Sequence, residues 1–243
     1  MPAPTNGLIL HWNLQDLAGS AYLDLSSSGI NGNRNGLDSF TTGTVGNSRH
    51  FGASASYVAL STYVDISTPN TISMWLRNDS VGAGSKLAIW LQKDSTVGRK
   101  LGFYTTAAGT SIFLASGSNS TASSVQTYKS RGLRAAVWYH VSVTFSATAA
   151  SAIYFGGTFN TSVTKDQTWG LGTRQKIIGD IAGGGNPWVG DIDEVRIYNR
   201  ILTSTEINNV FTDTINYGPK IKKRLGVPPP VALAFGRVDK VKR

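Results

Sequence analysis

The sequence predicts an all-β fold, a sandwich or jelly roll with one short helix near the C-terminal end and an extended C-terminal arm. Three observations carry this reading. Residues 7 to 212 break into short segments rich in β-branched and aromatic residues, several alternating with period two, separated by Gly, Ser, Asn and Thr. Only one stretch, STEINNVF (204–211), reads as helical. After Tyr217 the chain turns to Pro, Gly and charge around a single apolar patch. Many short strands with one brief helix suit two packed sheets, and no repeat is long enough for a solenoid or propeller.

In chain order the strand candidates are LILHWNL (8–14), YVAL (57–60), TISMWLRN (71–78), KLAIWLQK (86–93), LGFYTT (101–106) and SIFLAS (111–116). WYHVSVTFS (138–146), SAIYFGG (151–157), QKIIGDI (175–181) and IDEVRIYNR (192–200) follow. Strict alternation through the last of these places Asp191, Asp193, Val195 and Ile197 on one face, and Ile192, Glu194, Arg196 and Tyr198 on the other. An aspartate sharing a face with Val195 and Ile197 is desolvated, so it must be paired, hydrogen-bonded or metal-bound. The helix has its start signal: Thr203 caps it, and Glu206, three residues on, completes a capping box.

The 243 residues, 40% hydrophobic and 15% charged, are enough for one large β domain with a proper core. There is no cysteine, which excludes a disulfide framework, a thiolate metal site and a cysteine nucleophile. The opening MPAPTNGLILHWNLQD has neither a basic start nor a long apolar run, so no signal peptide is expected. No run approaches the length of a membrane span. The net charge of +9 is unevenly spread. Residues 219–243 hold eight basic side chains against one acid, Asp239, a net of +7, while the preceding 218 residues hold 15 basic against 13 acidic, a net of +2. The predicted organisation is therefore a β domain over 1–217 and a basic arm over 218–243, and such asymmetry marks an interaction tail.

The motifs LDLSSSGINGNRNGL, SRHFGASASYVAL, NTISMWLRND, WYHVSVTFS and GDIDEVRIYNRILTSTEI occur in that order. Together they resemble the laminin-G-like, concanavalin-A-like jelly-roll domains over roughly residues 8–211, the closing run being the most specific part. The resemblance implies two curved antiparallel sheets; activity does not follow, because function lives in sites carried on a fold. It also implies that the acid at Asp193 helps to hold a calcium ion, or a hydrogen-bond cluster, beside the N-terminal loop that contains Asp24, Asn31 and Asn33. Calcium takes six to eight oxygen ligands, which such a loop can offer, and the ion would be structural. The alternative is that Asp24 and Asp193 cap turns by accepting backbone N–H bonds, without metal.

Laminarinase-type glucanases on this fold use a carboxylate row, Glu-x-Asp followed by another Glu on the same face. Here the row begins with Asp191 and Asp193 but continues with Val195, so the pair lacks its proton donor and no catalytic residue is expected. His11, His50 and His140 are scattered without zinc-site spacing and read as structural. Trp12, Trp75 and Trp138 fall at strand positions that pack the core in such domains. Trp169 and Trp188 lie in loop-like stretches, where they either stack on sugar rings or cover the sandwich edges.

In the arm, Lys220, Lys222, Lys223, Arg224, Phe235 and Arg237 are the partner-binding candidates, with basic residues flanking the apolar VPPPVALAF. Docking on protein neighbours is the favoured reading; contact with nucleic acid or an anionic membrane surface are the others. The sequence thus points to a non-catalytic, lectin-like subunit on a virion or other large particle, anchored by its arm, with glycans as further partners. A free-standing carbohydrate-binding module is the alternative, and a glycoside hydrolase the third.

Overall fold

The structure, a computed structural model, describes residues 1–15, 21–36, 38–52, 56–61, 70–79, 84–92, 97–106, 109–118, 125–128, 134–146, 150–163, 176–178 and 188–224. Side chains are described in all of these except 84–128, 163, 176–178 and 215–224. Along the chain run β1 (Leu8–Trp12), β2 (Ala21–Tyr22), β3 (Gly32–Asn35), β4 (Asp38–Thr42), β5 (Asn47–Phe51), β6 (Tyr57–Leu60), β7 (Asn70–Asn78) and β8 (Gly84–Gln92). Then come β9 (Val97–Thr106), β10 (Gly109–Ser118), β11 (Val125–Tyr128), β12 (Trp138–Phe145), β13 (Ser151–Phe155), β14 (Thr158–Val163), β15 (Lys176–Ile178), β16 (Gly190–Tyr198) and the helix α1 (Ser204–Arg224).

The strands form two antiparallel eight-stranded sheets. Sheet 1 runs β14-β13-β12-β7-β16-β5-β4, with β1 also paired to β16; sheet 2 runs β11-β10-β9-β8-β15-β6-β3-β2. The predicted jelly-roll sandwich is the fold found. All ten strand candidates coincide with strands, and β2, β3, β4, β5, β11 and β14 are additional. Asn33, expected on a loop, lies within β3.

The core lies between the sheets. Alternation aims Ile72, Met74 and Leu76 of β7, Val141, Val143 and Phe145 of β12, and Leu10 and Trp12 of β1 into it, where they meet Tyr22, Val58 and Leu60 of sheet 2. Trp188, just before β16, is fully buried in the same cluster.

A second layer lies on the outer face of sheet 1. There α1 sets Ile207 and Val210 against Tyr154, Tyr198 and Leu202, and Phe211 against the rings of Trp75 and His140. Positions 207, 210, 211 and 214 form one stripe at helical spacing. The capping box is present: Glu206 N donates to Thr203 Oγ1 at 3.3 Å and Thr203 N donates to Glu206 Oε2 at 2.8 Å. Arg200 adds a two-pronged pair to the Glu206 carboxylate. The helix runs past its expected end at Phe211 and takes in residues 218–224 of the expected arm. The stripe explains its continuation to Thr214, which accepts from Trp75 Nε1 at 3.0 Å; the described packing gives no reason for the run through Pro219, which removes a helical hydrogen bond.

Candidate functional site

The outer face of sheet 1 gathers the carboxylates, and a backbone irregularity puts them there. On β16, Asp193 opposes Trp75 but Arg196 opposes Ser73, so β16 has one residue more than β7 between these pairs. Glu194 takes up the extra length at φ 51°. This is a β-bulge, and it reverses the alternation beyond it. Ile192, Val195 and Ile197 all enter the core, and Asp191, Asp193, Arg196 and Tyr198 lie on the outer face. The expected sharing of a face by Asp193, Val195 and Ile197 is therefore corrected: it assumed unbroken period two across the bulge. Both faces of the strand are covered, so every residue of β16 is buried.

Each carboxylate is answered by the chain itself. Asp191 accepts from Thr41 Oγ1 at 2.7 Å, is contacted by His50 Nδ1 at 3.1 Å, and pairs with Arg77. Asp193 Oδ2 accepts from Thr44 N, Thr44 Oγ1 and Val45 N at 3.0, 3.0 and 3.1 Å. The turn that delivers these donors needs Gly43, because a Cβ there would stand 2.6 Å from Asp193 Oδ2. Oδ1 of Asp193 has no partner. Burial, then the neighbouring Glu194 charge, pushes the Asp193 carboxyl up to about 8 against the pull of its three hydrogen bonds.

Glu194 is held the opposite way. Burial alone would raise its carboxyl, but the His11 hydrogen bond and charge, together with Arg196, outweigh burial and hold it below its ordinary value. Its Oε2 lies 2.8 Å from His11 Nε2 and 3.0 Å from Arg196 Nη2. Arg196 Nη1 continues to Asp213 of α1 at 3.5 Å, tying strand to helix. Burial, then the Arg196 charge, lowers the His140 imidazole to about 3. Neutral His140 contacts Ser73 Oγ at 2.9 Å and stacks edgewise on Trp75, with centroids 5.2 Å apart.

Two adjacent carboxyls driven apart in this way resemble a general acid and base. A glycosidase, however, needs its pair open to a sugar. Here Asp191 and Asp193 are 0% and Glu194 4% exposed.

The residues do not fit the calcium that the resemblance implies. Asp24 Oδ1 accepts from His11 N and Ser26 N, and Oδ2 from Ser26 Oγ and Ile30 N, at 2.7–2.9 Å. Asn31 Oδ1 accepts from Asp24 N, and Asn33 is exposed. Among the described residues Asp24 and Asp193 share no hydrogen-bond partner, and each accepts backbone N–H bonds as a turn cap does. Among the described residues, His50, Asp79 and Asp191 form one group of metal-capable side chains. One ligand atom from each lies within 4.8 Å of the others, and the imidazole sets Nδ1 3.1 Å from Asp191 and Nε2 3.6 Å from Asp79. Arg77 already supplies the positive charge there.

The expected ligand-binding Trp188 is corrected: it is 0% exposed, wholly within the core, with no ring face for a sugar. Trp12 packs the core as expected, Trp75 instead lies on the outer face beneath α1, and Trp138 is half-buried. Trp169, Phe235 and Arg237 lie outside the described residues, and only the helical backbone is described at Lys220, Lys222, Lys223 and Arg224. Sequence reasoning missed His11, Arg77 and the 43–46 turn as partners of the acids. Their signal is faint, since each lies more than a hundred residues from its partner.

Among the described residues, no helix is long and apolar enough to cross a membrane. No curated protein matches the sequence. Domain 4 of AbnA, a GH43 extracellular arabinanase from Geobacillus stearothermophilus solved in complex with arabinotriose, is 18% identical with a TM-score of 0.65. That match covers 84% of this chain and 97% of that one. The binding domain of Paraclostridial Mosquitocidal Protein 1 is 15% identical with a TM-score of 0.66, covering 87% of this chain and 53% of that one. The binding domain of Botulinum Neurotoxin DC in complex with SialylT is 14% identical with a TM-score of 0.64, covering 86% and 52%. The chain thus spans about half the length of these two toxin domains, and at such identities the likeness is one of fold. The model of the concanavalin A-like lectin/glucanases superfamily matches residues 51–208, more than half of the chain, and the chain belongs to that superfamily.

Proposed function

We propose that the chain is a non-catalytic, lectin-like glycan-binding subunit, displayed on a virion or other large particle and anchored by its basic C-terminal arm. Within a superfamily of lectins and glucanases, one observation favours the lectin: the β16 carboxylates are buried and engaged by Arg77, His11, Arg196 and the 43–46 turn. A glucanase must leave such acids open to a sugar. The fold neighbour solved with arabinotriose and the one solved with SialylT support glycans as the ligand class to test first. The anchor reading rests on charge, since the last 25 residues carry +7 of the +9 total.

The test has two arms. Full-length protein on a glycan array binds at least one glycan and hydrolyses none; hydrolysis that disappears in Asp191→Asn overturns the non-catalytic reading. A chain truncated after Gly218 is expected to fold, because the superfamily match ends at residue 208 and the cut keeps Ile207, Val210 and Thr214, which dock the helix on sheet 1, but to fail to co-sediment with its particle. Equal incorporation of both chains overturns the anchor.

A further inference from the structure

The lateral edge of the sandwich, where the edge strands β2 and β4 meet, holds a charge cluster that the outer face does not use. Tyr22 of β2 donates through its hydroxyl to Asp38 Oδ2 of β4, joining the two sheets at this edge. Arg34 of β3 pairs with Asp38 Oδ1 and donates from Nη2 to the Asp38 carbonyl at 3.0 Å. The Asp38 carboxylate is therefore engaged on both oxygens before Arg49 of β5 reaches it, and Arg49 Nε stops 3.7 Å away.

Arg49 is 1% exposed, and its Nε and Nη2 have no hydrogen-bond partner. Its guanidinium lies between the rings of Tyr22, 4.9 Å from the centroid, and Phe40, 3.3 Å from the centroid. Such cation–π contacts offset part of the desolvation but supply no anion. Among the described residues the cluster thus sets two guanidiniums against one shared carboxylate, Asp38, and a buried cation with only part of a counter-charge is costly. Around it, Phe40 is 46% exposed although the cluster covers its other side, and the Arg34 side chain is 29% exposed.

Excess positive charge beside an open aromatic ring suits one ligand chemistry. We propose that this edge binds an acidic sugar, whose carboxylate meets Arg34 above the buried Arg49 charge while its ring lies on the open side of Phe40. Arg34 gives a charge-assisted bond to the carboxylate. Arg49 acts from behind as fixed positive charge in a low-dielectric setting, where it counts for more than it would in water. Phe40 offers apolar surface to the C–H face of the ring. The inference deepens the glycan-binding reading and rests on it.

The full-length chain is titrated with oligogalacturonate and with neutral galacto-oligosaccharide of equal length, and applied to an array carrying uronic, sialylated, sulfated and neutral glycans. Carboxylated glycans are expected to bind about tenfold more tightly than their neutral counterparts, and the preference to shrink as salt rises. Arg34→Gln should abolish the preference, Arg34→Lys should keep most of it, and Phe40→Ala should weaken both acidic and neutral binding. Thermal melts of each variant show that the fold persists, as the partial exposure of both residues predicts. Binding of neutral glycans alone, or an acid preference untouched by Arg34→Gln, overturns this site and leaves the lectin reading standing. Sulfated glycans bound in place of carboxylated ones also overturn it. A chain that binds nothing on the array removes both.

Discussion

The two faces of sheet 1 both bury side chains and are built in opposite ways. The inner face is apolar over most of its area, with Ile72, Met74, Val141, Val143, Ile192, Val195 and Ile197 filling the space between sheets; its buried polar residues are Asn70 and Asn78 at the two ends of β7 and Arg49 of β5. The outer face, under α1 and the 43–46 turn, carries Ser73, His140, Ser142, Asp191, Asp193, Glu194 and Arg196, all buried. The inner face asks of a residue only volume and shape. On the outer face each residue needs a particular partner, because a buried polar group left alone costs more than its bond returns. Burial by itself therefore says little about composition. What decides is whether the covering element brings donors and acceptors, as α1 does with Asp213 and the turn does with Thr44 and Val45.

Swaps that preserve volume separate the two faces most sharply. Met74→Leu on the inner face should cost less than about 1.5 kcal/mol. Arg196→Met, similar in shape, should cost about 3–5 kcal/mol in denaturant unfolding, because it leaves buried Glu194 with His11 alone and takes the Arg196 contact from Asp213. Adding Glu194→Gln to Arg196→Met should recover part of that loss. Equal costs for the two single variants would erase the contrast.

A smaller effect comes from Asp193. Its carboxyl titrates near 8 when folded against an ordinary value of 3.8. Between those values the native state holds a proton that the unfolded chain has released, so raising the pH from 5 to 8 removes stability. Asp193→Asn should abolish this fall: the wild type should lose melting temperature relative to the variant as pH rises through that window. Parallel pH profiles would show that Asp193 is ionised in the fold. The smallest effect is local. Thr203→Ala removes the helix cap and should cost about 1 kcal/mol, read as a lower melting temperature without loss of the outer-face network.

Much of the inner face was legible in the sequence. Period-two segments such as WYHVSVTF carry their own burial pattern, and a closing run such as GDIDEVRIYNR identifies the strand at the sheet's centre. The polar strands β3, GNRN, and β5, NSRHF, were not, since propensity places Gly, Asn and Ser in turns and only their neighbours make them strands. The outer face was half legible. The stripe of Ile207, Val210 and Phe211 announces a helix with something to bury, but not where it docks. The bulge was hidden altogether, because Glu194 at φ 51° is a residue type without preference for that conformation. One unreadable residue reversed the facing of every position after it, and with it the sequence-based assignment of the acids.

The position of β16 also bears on how the chain is made. Among the described residues it is the last strand to be synthesised and one of the innermost, bordered by β7 on one side and by β1 and β5 on the other. Leu8 pairs with Tyr198, so β1 waits through the synthesis of every later strand before its neighbour exists. Until then β5 and β7 expose backbone edges that invite pairing with other nascent chains, and closure depends on contacts far apart in sequence. A polypeptide ended before residue 190 would have sheet 1 split into two parts lacking the strand that joins them, and would be a natural target for chaperones and proteases.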